Sequence, residues 1–522
     1  MYDTLIKNGL VVDGTKSPAY KADIGITGKK ISQVGNFEQA NALNVIDAKG
    51  KVIVPGFIDT HSHSDYWLLK YNNFFPKTSQ GITSEFIMLD GISYAPVSDD
   101  TIFEWIYYLR SLNGLPMCHY SGWKTIKDYL NLLTKTSQNI ASFAPYANIR
   151  SLVCGFKTPI LDDYQMREIK LIIKQSLEEG AFGISTGLDY ISQWNASKEE
   201  IISACKEMQK IHGVYVTHIR SKVGILEGIK EAVEIGRKAE VPVHLSHLKC
   251  DNSLETEQVL TYIEEASLDV DITFDIYPYA SGSTMLHYLL PIEVWSDGPF
   301  SAITKLRNGR VLSLLKRQLD RIPLHNVIIS WVGSKQNSVF QGKSILDFIR
   351  ATQKSPEEAV VDLLIEEAFA VLVVFKNEND ELIRPFLCHS KCMLASDGIF
   401  QEDGYIHPRE FGTTTKFLQN YVKEQGLLSL ENAIYKMSSF PAERFGVRSR
   451  GFIKEGDFAD LVILDMNTIS DQATYENPRK SSVGIDYVFV NGVEVIRDGE
   501  PLIKTNHAES GPGMILSYGK IE

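Results

Sequence analysis

Pro55-Gly56-Phe57-Ile58-Asp59-Thr60-His61-Ser62-His63 carries an apolar strand pattern into two histidines two residues apart. Side chains at i and i+2 of a strand share a face, so both imidazoles are able to reach one metal ion. Alone, a His-x-His is as readily a pair of ordinary surface or core histidines. The rest of the chain shifts that balance. His218 in Val216-Thr217-His218-Ile219-Arg220, His247 in Leu245-Ser246-His247-Leu248-Lys249 and Asp397 in Leu394-Ala395-Ser396-Asp397-Gly398 each close a further short apolar run. Five potential ligands at strand ends predict a metallohydrolase.

Working outward, candidate strands end near Cys154, Ser185, His218, His247 and Ile276, at intervals of 31, 33, 29 and 29 residues. Helical patterns lie among them at 164–179, 198–211 and 225–239. Such spacing is one βα unit each time, since a βαβ crossover runs to about 30 residues. Strands near Ile58, Phe86 and Ala395 bring the number to eight. The expected fold is therefore α/β, a (β/α)8 barrel with its active site at the C-terminal ends of the strands, where the five candidate ligands fall.

Residues 1–55 read differently, as short strands punctuated by Asn8-Gly9, Asp13-Gly14 and Gly28-Lys29, which predict tight turns between antiparallel strands. Residues 451–465 and 484–495 have the same character. Residues 1–55 and 448–522 are thus expected to form one small β domain, because chain termini often lie close together. The barrel then occupies 56–447, with insertions near 91–147 and 280–345. Long excursions on the βα side usually cover or shape a site, so both are read as substrate-facing.

The bulk composition narrows the partners. Of 522 residues, 44% are hydrophobic and 23% charged, as in an ordinary globular protein. A net charge of -12 argues against nucleic acid or an anionic membrane, which call for clustered Lys and Arg. No apolar run approaches the ~18 residues of a membrane span, and no secretion signal is evident at Met1-Tyr2-Asp3-Thr4. Six cysteines without framework spacing read as reduced thiols, so a cytoplasmic setting is expected. Cys388 and Cys392 flank His389, but a structural zinc site needs a second ligand pair that the sequence does not offer.

Taken in order, these residues resemble the amidohydrolase superfamily, and within it the D-aminoacylase branch, the N-acyl-D-amino-acid deacylases. The resemblance runs through Pro55 to His63, Gly183-Ile184-Ser185-Thr186-Gly187-Leu188-Asp189-Tyr190, Thr217-His218-Ile219-Arg220, His247-Leu248-Lys249, Tyr277-Pro278-Tyr279 and Ser396-Asp397-Gly398. It continues through His407-Pro408-Arg409, Pro441-Ala442-Glu443-Arg444-Phe445-Gly446 and Ala473-Thr474-Tyr475-Glu476-Asn477-Pro478. It implies a barrel with a small β domain and metal ligands at strands 1, 5, 6 and 8. In the family a cysteine at the end of strand 2 completes the tight zinc site, and here Asp90 stands in its place. A carboxylate is a harder ligand than a thiolate, so divalent ions other than Zn2+ become acceptable, and it is able to bridge two of them. Lys222 is a second departure, standing where the family commonly has an acidic residue.

The resemblance implies hydrolysis of the amide bond of an N-acyl-amino acid, of D configuration, with one or two divalent ions. His61 and His63 would hold one metal position, and His218, His247 and Asp90 the other. Asp397 would move the proton between water and the departing amine. Lys249, Tyr277 and Arg409 look like the family's partners for the α-carboxylate of a small-molecule substrate, which calls for a cation and a hydroxyl donor. Two rivals remain: a cyclic-amide hydrolase of the dihydroorotase or hydantoinase type, and a scaffold that has lost catalysis. The first usually carries a metal-bridging lysine, for which Lys157 is the candidate here.

Overall fold

The computed structural model describes residues 1–37, 41–156, 160–503 and 510–520. Barrel strand 1 (Phe57–Asp59) pairs in parallel with strand 2 (Ile82–Ile87), and strand 2 with strand 3 (Asn139–Ser142, resuming as Ala144–Pro145). Parallel pairing then passes through strands 4 (Gly183–Gly187), 5 (Val214–His218), 6 (Val243–Leu245), 7 (Ile272–Ile276) and 8 (Cys392–Leu394). Beyond strand 8 the chain returns to strand 1. The Asp397 amide donates to the His61 carbonyl at 2.8 Å and the His63 amide to the Gly398 carbonyl at 3.1 Å. The strand number matches the expectation of eight, and seven of the eight stand where expected; these strands read as near-continuous buried runs because helices cover their outer faces.

One buried cluster draws Ile58, Phe86, Phe143, Phe182, Val216 and Met393 from six different strands or their flanks, with Phe445. Phe86 is its hub, with ring centroids 5.3 Å from Phe143, 5.2 Å from Phe182 and 4.8 Å from Phe445. Each such side chain contributes about 1.5–3 kcal/mol by burial.

The strand expected near Cys154 is a helix, Tyr146–Cys154. Strand 3 lies earlier, and its polar residues disguised it. Asn139 is buried because its Nδ2 donates to the Thr83 carbonyl, Ser84 Oγ and Asp460 Oδ2. Pro145 then precedes the first helical turn, and Arg150 is buried in an ion pair with Glu200 at 2.8 Å. The three expected helices stand at Asp163–Glu178, at Lys198–Cys205 with a tighter turn over Lys206–Ile211, and at Ile225–Ala239.

Strands from both ends of the chain share one nine-stranded sheet. Val52–Pro55 joins its two parts, parallel to Tyr2–Val11 and antiparallel to Leu461–Leu464. Asn8-Gly9 is not a turn between strands. It lies inside Tyr2–Val11 as a bulge, with Asn8 at φ +61° and the register slipping between Ile6 and Gly9. A Cβ at Gly9 would stand 2.2 Å from Ile53 Cδ1, so close approach of the neighbouring strand explains the glycine.

Two long connections leave the barrel mouth. Residues 88–138 carry the helix Ile102–Asn113. Residues 277–391 carry an antiparallel sheet of Gly282–Met285, Val371–Phe375 and Val327–Val332. They pack on each other, with Tyr108 ring centroids 4.7 Å from His287 and 5.1 Å from Trp295. Among the described residues no helix is long and apolar enough to cross a membrane.

Candidate metal centre

His61 and His63 follow strand 1, and the alternation of the chain turns the intervening Ser62 away, its hydroxyl donating to Glu85 Oε2 at 2.8 Å and the Phe86 carbonyl at 3.0 Å. Asp90, His247 and Asp397 end strands 2, 6 and 8 with φ of +55°, +37° and +46°. Left-handed backbone at non-glycine residues costs on the order of 1–3 kcal/mol and gathers at functional sites, and here it bends three strand ends inward.

These five side chains meet. Asp90 Oδ1 lies 3.5 Å from His61 Nε2 and 3.6 Å from His247 Nε2, and Asp90 Oδ2 lies 3.7 Å from His63 Nε2. Asp397 Oδ1 is 3.3 Å from His63 Nε2 and 3.9 Å from His61 Nε2. Two overlapping groups result, His61 with His63 and Asp397, and His61 with Asp90 and His247. Ligands about 2.0–2.1 Å from a tetrahedral ion stand about 3.3–3.4 Å apart, close to the shorter of these separations. Both ring nitrogens of His61 and Oδ1 of Asp90 are buried without a hydrogen-bond partner. Such atoms cost about 1–3 kcal/mol each when unsatisfied, so the donor set fits a divalent cation.

Electrostatics agree with that fit. Burial pushes His61 down to about 4, keeping it in the neutral, ligating form. Burial works against ionisation of Asp90, but the facing His61 and His247 outweigh it and hold the carboxyl well below the usual range.

The structure brings His218 only to the margin. Its Nδ1 lies 3.2 Å from His247 Nε2, its Nε2 lies 3.3 Å from Asp189 Oδ2, and it belongs to neither group. The expected substrate partners stand beside Asp397. Arg409 is fully buried, with Nη1 2.9 Å from Asp397 Oδ2 and its guanidinium 4.3 Å from the centre of the Tyr277 ring. Lys249 lies over the same ring at 3.6 Å and donates to the Ser281 carbonyl at 2.8 Å. Burial, with the charge of Arg409 adding, pushes its ammonium well below the usual lysine range. Lys157 lies outside the described residues. His389 pairs with Glu264 at 2.8 Å, away from the two groups.

Three supports went unread in the sequence. Asp189 backs His218. Asp275 accepts from the His247 amide at 2.6 Å, Thr60 Oγ1 at 2.8 Å and lies 2.9 Å from His244 Nε2. Lys77, fully buried, reaches Asp59 at 3.0 Å, Ser396 Oγ at 2.6 Å and Glu410 at 3.8 Å. Nothing local marks the role of any of them, although Asp189 lies in the motif at 183–190, since each partner is distant in sequence.

The chain is 31% identical to D-aminoacylase of Alcaligenes xylosoxydans xylosoxydans over 504 residues, 95% of this chain and 94% of the relative. The chain belongs to the amidohydrolase family, in its D-aminoacylase branch. A family model described as amidohydrolase matches residues 391–496, and N-acyl-D-aspartate deacylase from the same organism is 31% identical over 99% of this chain and 95% of its own. A crystal structure of D-aminoacylase superposes with a TM-score of 0.81 at 30% identity, covering 99% of this amidohydrolase and 100% of the other chain. N-acyl-D-glutamate deacylase from Bordetella bronchiseptica, solved with zinc and a phosphonate mimic of the tetrahedral intermediate, gives 0.82 at 26% identity, with 99% of each chain covered. Dihydropyrimidinase from Brevibacillus agri, at 16% identity and TM-score 0.55, shares the fold alone.

Proposed function

We propose that this amidohydrolase is a cytoplasmic, metal-dependent N-acyl-D-amino-acid deacylase, hydrolysing the amide to a carboxylic acid and a free amino acid. One observation carries the reading. Buried ligand atoms of His61 and Asp90 lack hydrogen-bond partners, at the mouth of a barrel that matches D-aminoacylase nearly end to end. His61, His63, Asp90, His247 and Asp397 would hold the cation or cations, with His218 joining through Nδ1. A bound divalent ion supplies a lowered water pKa and polarisation of the acyl carbonyl.

The remaining work falls to the protein. Asp397, ionised beside Arg409 and His63, takes the proton from the attacking water and returns it to the amide nitrogen, which leaves only when protonated. Arg409, with its Nε unpartnered, and the Tyr277 hydroxyl hold the α-carboxylate, and Lys249 adds a donor at the same wall. The carboxylate of Asp90 in place of a thiolate favours harder divalent ions alongside zinc.

The test pairs elemental analysis of chelator-free protein with hydrolysis of N-acetyl-D- and N-acetyl-L-amino acids. Divalent metal near one equivalent or more and cleavage of the D series is the expected result. Metal well under half an equivalent, with no activity after adding Zn2+, Co2+ or Mn2+, would sink the reading.

A further inference from the structure

Asp189 follows strand 4 in Leu188-Asp189-Tyr190, and its side chain is fully buried. Its Oδ2 lies 3.3 Å from His218 Nε2 and accepts from the Ser221 amide at 3.1 Å, from the Ser221 hydroxyl, and from the Tyr288 hydroxyl at 2.9 Å. Oδ1 takes the Lys222 amide at 3.3 Å. A carboxylate is an acceptor only, so His218 presents Nε2–H to it. Nδ1 of a neutral ring is then left with a lone pair, and it points at His247 Nε2, 3.2 Å away. Two imidazole nitrogens at that distance require a proton or a cation between them.

Tyr288 comes from a different part of the molecule. It sits in the turn Leu286–Leu289 of the excursion between strands 7 and 8. Lys222 pins it there, donating to the Tyr288 carbonyl at 3.0 Å and lying 4.1 Å from the ring centre. The lysine that departs from the family's acidic residue is therefore employed on the covering segment and not on the metal.

We propose that Asp189 is the positioning residue that makes His218 a metal ligand through Nδ1, and that Tyr288 ties this arrangement to the excursion above it. The inference rests on the metal-dependent reading above. An outer carboxylate fixes the tautomer and orientation of a ligating imidazole and raises its basicity, and removing one typically costs 10–100-fold in metal affinity. Metal retention then depends on a residue of the covering segment that touches no metal.

The experiment measures Zn2+ affinity by competition with a chromophoric chelator, and the visible spectrum of the Co2+ form, for the parent, Asp189→Ala, Asp189→Asn and Tyr288→Phe. Asp189→Ala is expected to bind about 10–100-fold more weakly with an altered Co2+ spectrum. Asp189→Asn, whose carbonyl still accepts from Nε2–H without the charge, falls between it and the parent. Tyr288→Phe keeps the ring packing and loses less than about tenfold. Thermal melting of the metal-free proteins identifies a variant that fails to fold; if Asp189→Ala is one, Asp189→Asn and Tyr288→Phe decide. Parent-like affinity and Co2+ spectra in the folded variants overturn the inference alone. A parent that binds no divalent metal overturns the functional reading and this inference together.

Discussion

The side chains of His61, His63, Asp90 and Asp397 are at most 9% exposed, whereas those of His218 and His247 are 12% and 18% exposed. The difference follows from what holds each side. His61, His63 and Asp397 sit at the seam between strands 1 and 8, locked by backbone hydrogen bonds and by Lys77 below them, with Asp90 at the end of the adjacent strand 2. His218 is held by Asp189, which in turn depends on Tyr288 from an excursion. One side of the centre is built by the barrel itself. The other is completed by a segment outside it, and such segments are drawn from the less stable parts of a fold.

The largest effect expected of a single change on the seam is in Asp397→Asn. Asparagine keeps the shape but cannot shuttle a proton, so hydrolysis should fall by about 10²–10⁴-fold or more. Metal bound by Asp90 and His247 should remain, as read by elemental analysis; a rate within about tenfold of the parent would take Asp397 out of the mechanism.

Lys77→Met tests whether the seam is held by charge. It would leave Asp59, Glu85 and Glu410 buried around an absent cation, and breaking such a pair costs about 3–5 kcal/mol. Denaturant midpoints should drop accordingly, and by much more than for Tyr288→Phe. Equal midpoints for the two variants would erase the contrast between the sides.

Asp90 touches both sides, so its variants sharpen the comparison. Asp90→Ala should weaken metal binding on both, while Asp90→Cys should recover a site that prefers zinc. Titrations with Zn2+ and Mn2+ check this, and unchanged affinity and preference in both variants would remove Asp90 from the ligand set.

The smallest effect concerns pH. Burial pushes Glu410 up to about 7 against the pull of Lys77. An unfolded glutamate titrates near ~4.3, so this group's contribution is fully present below that and is lost as the pH rises through about 7. Glu410→Gln, which stays neutral, should raise the denaturant midpoint at pH 8 and change it little at pH 5. A lower midpoint at pH 8 would show that the ionised carboxylate is needed by Lys77.

Much of the barrel side was legible because its signals are local. His61 and His63 are two residues apart on a strand, and strands 4 to 7 recur at close to one βα unit. Strand 3 was hidden because Asn139 and Ser142 are buried polar residues whose partners lie elsewhere, while the apolar residues near Ile149 line a helix. Lys77 was invisible for the same reason, and Asp189, though inside the motif at 183–190, gave no sign of its partners. Lys77 meets Ser396 across 319 residues of sequence, and Tyr288 meets Asp189 across 99. No pattern in one sequence encodes such a meeting.

Val52–Pro55 finds its antiparallel partner in Leu461–Leu464, and the Gly56 amide donates to the Asp460 carbonyl. At ~5–20 residues per second, synthesis of the intervening chain takes roughly 20–80 s. Throughout that interval a nascent chain carries an open strand edge a few residues ahead of His61, free to pair with a neighbour emerging from the same message. The clock of the ribosome, rather than the strength of any contact, sets the earliest moment at which that edge is closed.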